Sequence, residues 1–278
     1  MSQRLTEDAL APGDQMVLEI RGRLLAWGRD NYRDFPWRHS IPRWQALVAE
    51  FLLVRTRASQ VVPVFRRIQT EYPTAAAFGN AREEDLVELV APLGLKWRGR
   101  LFVTLARDIG QRRGRLPRTS GALRELPGVG EYVAAAVLAL HAGRRDVLID
   151  SNVVRLLARL VGVPHDGETR REPWLREMAD RLTPEAEFRE YGYAVLDHSM
   201  TICRPRRPLC DICPLVDLCS SAPGHEPSLN GSSQQTASRR GSRVSNPACA
   251  PGTSADTRLP NVTGDEAGWA VGRHGGAD

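Results

Sequence analysis

Five cysteines occur in 278 residues, and four of them fall between positions 203 and 219. Their spacing is Cys203-x6-Cys210-x2-Cys213-x5-Cys219. Four thiolates so close in sequence suit zinc or an iron–sulfur cluster better than disulfides. Structural zinc sites usually pair two short knuckles, whereas here a single Cys-x2-Cys is flanked by longer arms. A second constellation lies upstream. Leu126-Pro127-Gly128-Val129-Gly130 precedes the apolar run Tyr132–Leu140, and Asp150 ends the apolar run Val147-Leu148-Ile149 twenty residues after Gly130. Two glycines one residue apart permit positive φ and let another backbone approach closely. They also leave the first N–H groups of the next helix open to an anion such as a phosphate oxygen. Asp150, followed by Ser151-Asn152, is placed as a helix N-cap. A carboxylate there can also face a cleft and stabilise a developing cation. A third carboxylate, Glu50, lies in the apolar stretch Ala46–Val54, where burial would suit it to donate a proton.

These groups must be positioned by helices. From Val17 to Ile202 apolar residues recur at three- and four-residue spacing, as in Leu47, Val48, Phe51, Leu52 and Val61, Val64, Phe65, Ile68. The breaks fall at Pro73, 92–94, 114–117, 127–130, Gly143, 162–164 and Pro184. No convincing period-2 strand appears, so the expectation is an all-α globule of roughly ten helices. The predicted organisation is a helical domain over 14–202, a cysteine loop over 203–219 and a disordered, low-complexity tail over 221–278, rich in Ser, Gly, Pro, Ala and Arg. Cys249, in that tail, reads as a bystander.

Bulk composition narrows the class. No run reaches the roughly 18–20 apolar residues of a membrane span, and residues 1–13 carry no apolar signal segment. A cytoplasmic location is expected. The net charge of +5 is a mild bias toward polyanionic partners. The basic residues are nearly all arginine, with Lys96 the single lysine, so few amines exist for covalent catalysis.

Taken together, the hairpin Leu126–Gly130, Asp150 and the cysteine spacing resemble the helix-hairpin-helix DNA glycosylases, in the branch of endonuclease III and the adenine mismatch enzymes. The resemblance runs over about residues 17–219 and takes in Phe35-Pro36-Trp37-Arg38, Glu50–Thr56 and Tyr193–Asp197. It implies a two-lobed helical fold with the hairpin helix over 126–136 and a 4Fe-4S cluster held by Cys203, Cys210, Cys213 and Cys219. It implies duplex DNA as partner, gripped through Gly128, Val129 and Gly130. Asp150 becomes the essential catalytic carboxylate, assisted by Glu50 and Tyr132.

Three positions sort the branches of this family, one being Glu50, whose counterpart protonates the purine in the adenine branch and contributes to base recognition or catalysis in the thymine/uracil branch. Bifunctional members carry lysine two residues after the hairpin's second glycine and form a Schiff base there. Here the residue is Tyr132, which has no amine, so a monofunctional enzyme is expected. The adenine branch typically has Leu-Gln-Gln-Thr where this chain has Leu53-Val54-Arg55-Thr56. That turn and the run Phe35–His39 look more like the thymine–guanine mismatch branch. The expected activity is therefore removal of thymine or uracil opposite guanine, in a monomer associated with the nucleoid through DNA. Arg55 is expected in the DNA stack, with Arg98, Asn152 and Arg204 (and its neighbours Arg206 and Arg207) as further DNA contacts. The alternatives are an adenine-specific glycosylase without a C-terminal recognition domain, a lyase using Lys96 or the N-terminal amine, a non-catalytic DNA-binding module, and a zinc-ribbon binder.

Overall fold

The structure is a computed structural model that describes residues 12–94 and 98–224. Lys96, Cys249 and residues 225–278 of the expected tail lie outside the described residues. Among the described residues there is no strand, and the helices are α1 (Asp14–Asp30), α2 (Arg43–Leu53), α3 (Ala58–Glu71), α4 (Ala75–Asn80), α5 (Glu83–Val90), α6 (Gly99–Gln111), α7 (Ser120–Arg124), α8 (Glu131–His141), α9 (Ser151–Leu160), α10 (Pro173–Leu182) and α11 (Phe188–Thr201). Every Pro/Gly break expected from sequence falls between α-helices. Pro63 does not break α3, which continues through it. None of the described helices is long and apolar enough to cross a membrane.

The apolar residues sort into two cores. The first gathers Trp37, Leu47, Phe51, Phe65, Phe78, Phe102 and their neighbours from the middle of the chain. The second joins α1, through Val17, Ile20 and Leu24, to the C-terminal helices through Leu157, Leu175, Tyr191 and Val195. The i, i+3, i+7 stripe of α1 is what lets it leave the first half and pack on the second. The two cores are the two lobes that the resemblance implies.

Helix α8 connects them. It is apolar all round, as a helix covered on every side must be. Val133, Ala134, Val137 and Leu138 enter the first core, while Ala135, Ala136, Ala139 and Leu140 enter the second. Its alanines keep both lobes close to its axis. Tyr132, in its first turn, packs against both cores.

A buried ion pair also joins distant segments. The Arg38 guanidinium donates to both Asp197 carboxylate oxygens at 2.8 Å, and both residues are buried. It ties the Phe35–Arg38 segment to α11. At the other end the chain stays attached beyond Cys219. The Ser220 N–H donates to Leu160 O and the Ser221 N–H to Arg159 O, so Ser221, the first residue assigned to the tail, is anchored on α9.

Candidate active site and cluster loop

Asp150 is the N-cap of α9. Its Oδ1 accepts the backbone N–H groups of Asn152 and Val153 at 2.9 and 2.8 Å. Its Oδ2 accepts the Asn152 side-chain amide at 2.7 Å. The capping role and the catalytic one are therefore compatible. The cap fixes the carboxylate's orientation, and the residue remains partly exposed.

Asn152, expected both to orient Asp150 and to contact DNA, is placed for the first of these roles. Its amide donates to Asp150, and its Oδ1 accepts from Arg155 Nη2 at 3.1 Å. Both ends of the side chain are used inside the protein, so it positions Asp150. Arg155 in turn donates to the carbonyls of Cys203 and Ser199 at 2.9 and 2.7 Å.

Glu50 is buried on α2. Its Oε1 lies 2.9 Å from Nε2 of His141, the last residue of α8, and each side chain is 3% exposed. Tyr132 completes the group. Burial, with the nearby carboxylates of Glu50 and then Asp150, pushes its phenol well above the ordinary range. Glu50 from one lobe, Tyr132 from the connecting helix and Asp150 from the other lobe thus come together at the seam. His141 was missed in the sequence. Its signal there is a single imidazole at the end of an otherwise apolar helical run.

The hairpin differs in detail from expectation. Only Gly128 has a positive φ, of 72°. What crowds it is a ring rather than a backbone, because a Cβ there would stand 2.6 Å from Phe51 Cε2. Gly130 caps α8 in an extended conformation with no side-chain cap, and a Cβ on it would meet nothing within 4 Å. Val129 is buried, with its N–H donating to Leu126 O. The α8 N-terminus is therefore open at Gly130 and braced from behind at Gly128.

Arg98 requires a correction. It was expected on the DNA backbone, but it is 4% exposed. It donates to Phe51 O and Val54 O at 2.9 and 3.1 Å and stacks 4.1 Å over the Phe51 ring. It satisfies carbonyls at the C-terminal end of α2 that the helix leaves without partners. The turn it supports presents Arg55, which is exposed with a φ of 60°. A non-glycine residue in that region is strained, and such strain collects at functional sites.

The four cysteines line one cavity with Leu156, Leu209 and Leu215 around them. Among the described residues no three His, Cys, Asp or Glu side chains converge on a position for a single ion. Polar side chains lie against two of the cysteine sulfurs. Arg159 Nη1 is 3.4 Å from Cys203 Sγ, and His198 Nε2 is 3.4 Å from Cys213 Sγ. Arg159 also donates to the carbonyls of Arg204 and Pro205, which shapes the loop carrying Arg204, Arg206 and Arg207. The residues present fit an iron–sulfur cluster.

Comparison with known proteins agrees. Residues 203–219 match the iron–sulfur binding domain of endonuclease III. A thymine-DNA glycosylase of Aeropyrum pernix is 39% identical over 72% of this chain and 92% of its own length. The chain belongs to the helix-hairpin-helix family of DNA glycosylases. Among solved glycosylases, a thermostable thymine-DNA glycosylase superposes with a TM-score of 0.69 at 31% identity, covering 74% of this chain and 96% of the other. The human adenine DNA glycosylase is 31% identical, but this chain spans 39% of its length. The adenine-specific reading is thus the less well supported one. The non-catalytic and zinc-ribbon readings fall, since the chain is a glycosylase with an iron–sulfur cluster.

Proposed function

We propose that this glycosylase removes thymine or uracil mispaired with guanine from duplex DNA, acts as a monomer, and leaves the strand intact. The observation that carries the reading is the meeting of Glu50, Tyr132 and Asp150 at the seam of the lobes, with a tyrosine where strand-cleaving members have an amine. The length-wide similarity to a thymine-DNA glycosylase supports the same choice of base.

The open N-terminus of α8 at Gly130 and the arginines of the cluster loop take the backbone phosphates. The strained Arg55 enters the stack as the mispaired nucleotide is flipped, which is least costly for a mismatch. Glu50 and Tyr132 face the base. Asp150, held by Asn152, faces the sugar. The glycosidic C–N bond breaks with its electron pair leaving on the base. Asp150 stabilises the positive charge left on the sugar and guides a water to it. The water oxygen bonds to the sugar carbon, the base gains a proton, and the products are free base and an abasic site. When bound, the iron–sulfur cluster cross-links residues 203–219 and so holds their basic face toward DNA.

The test is single-turnover base release from duplexes containing T:G, U:G, A:G and A opposite oxidised G, with alkali used only afterwards to reveal abasic sites. Release of thymine and uracil without prior nicking is expected. Release of adenine alone, or nicking before alkali, contradicts the proposal.

A further inference from the structure

The mechanism leaves one buried polar group at the seam without a task. Tyr193, on α11, is 6% exposed, and its hydroxyl is buried without a hydrogen-bond partner. Arg189 comes near it without a bond of ordinary geometry. A buried hydroxyl left unsatisfied costs stability and calls for an explanation.

Its neighbours prevent it from turning to find a partner. The Arg38 guanidinium, fixed by Asp197, lies 4.4 Å over the Tyr193 ring. The Tyr32 ring meets it edge-on at 6.3 Å. The phenol also lies within electrostatic reach of Glu50, and within reach of the Tyr132 phenol. Tyr193 belongs to the second core, against which Tyr132 packs from the first turn of α8. Burial, and then the Glu50 carboxylate, push the Tyr193 phenol up, so at neutral pH it keeps its proton and is a donor.

We infer that Tyr193 is a substrate-contacting residue whose O–H donates to a carbonyl oxygen of the flipped pyrimidine. This rests on the pyrimidine-mismatch reading above and adds a leaving-group contact to it. When the glycosidic bond of thymine or uracil breaks, the electron pair delocalises onto the ring carbonyl oxygens. A preorganised O–H donor gains strength as that charge develops. An adenine that departs after ring protonation carries no such charge, so the same donor favours pyrimidines.

Tyr193→Phe removes the hydroxyl and keeps the ring. Single-turnover release of thymine from T:G is expected to slow about tenfold, the equivalent of one hydrogen bond. Release of 5-fluorouracil opposite guanine, whose anion is more stable, should slow less. Tm should stay level or rise, because an unsatisfied buried group has gone. Unchanged thymine release overturns the inference. So does an equal loss on both bases, and a fall in Tm alongside it would mark the hydroxyl as a packing element. Wild-type protein inert on both T:G and U:G would instead fail the function proposed above, and this inference with it.

Discussion

The Glu50 carboxylate and the His141 imidazole stand 2.9 Å apart where α2 meets the end of α8, each almost wholly out of solvent. The pair holds a hydrogen bond across the contact between α2 and the end of α8. It also sets Glu50 in one rotamer, since a buried carboxylate cannot give up such a partner cheaply.

The pair is expected to act as a unit. Glu50→Gln should slow base release about a hundredfold, within the usual range for acid–base assistance. His141→Phe should slow it about tenfold, the equivalent of one lost hydrogen bond. The double variant should be no slower than Glu50→Gln alone, because His141 works through Glu50. Single-turnover rates decide this, and losses that multiply would contradict the coupling.

The two hairpin glycines should separate on substitution. Gly128→Ala must accept both a positive φ and a Cβ against the Phe51 ring, so it should lower Tm and weaken DNA binding together. Gly130→Ala meets nothing within the protein and should leave Tm nearly unchanged. A selective loss of DNA affinity in Gly130→Ala, read by fluorescence anisotropy, would show that phosphate approaches there. Undiminished affinity would contradict it.

The Arg38–Asp197 pair carries a stability prediction. Removing one partner of a buried bidentate pair typically costs about 3–5 kcal/mol. Asp197→Asn is therefore expected to lower Tm by on the order of 10 °C for a chain of this size. Arg38→Met with Asp197→Leu should recover much of that loss by removing both charges. A thermal melt of the single variant indistinguishable from wild type would contradict the assignment.

Local features of this fold were legible in the sequence because they follow from local physics. The helical periodicity, the Pro/Gly breaks and the N-cap at Asp150 each depend on a few adjacent residues. The burial of Glu50 followed from its apolar flanks. What stayed hidden depends on contacts across the chain. Arg98 reads as a phosphate ligand until its carbonyl partners, Phe51 and Val54, are seen 44 or more residues away. His141 carries no motif, Tyr193 only opens a segment that resembles the family, and the packing of α8 between α2 and α11 is what sets them near the seam. The spacing of two glycines could not show which would be crowded, since Phe51 comes from another helix.

In the proposed mechanism Asp150 performs the chemistry at the seam of the two lobes, while other groups hold the DNA. The most direct measurement compares wild-type protein with Asp150→Asn, which keeps an acceptor oxygen for the α9 cap but loses the charge. Base release from T:G duplex and affinity for the same duplex are measured side by side. Release is expected to fall by at least about a thousandfold, the scale of lost electrostatic stabilisation, while affinity and Tm change little. Release within about tenfold of wild type would contradict it.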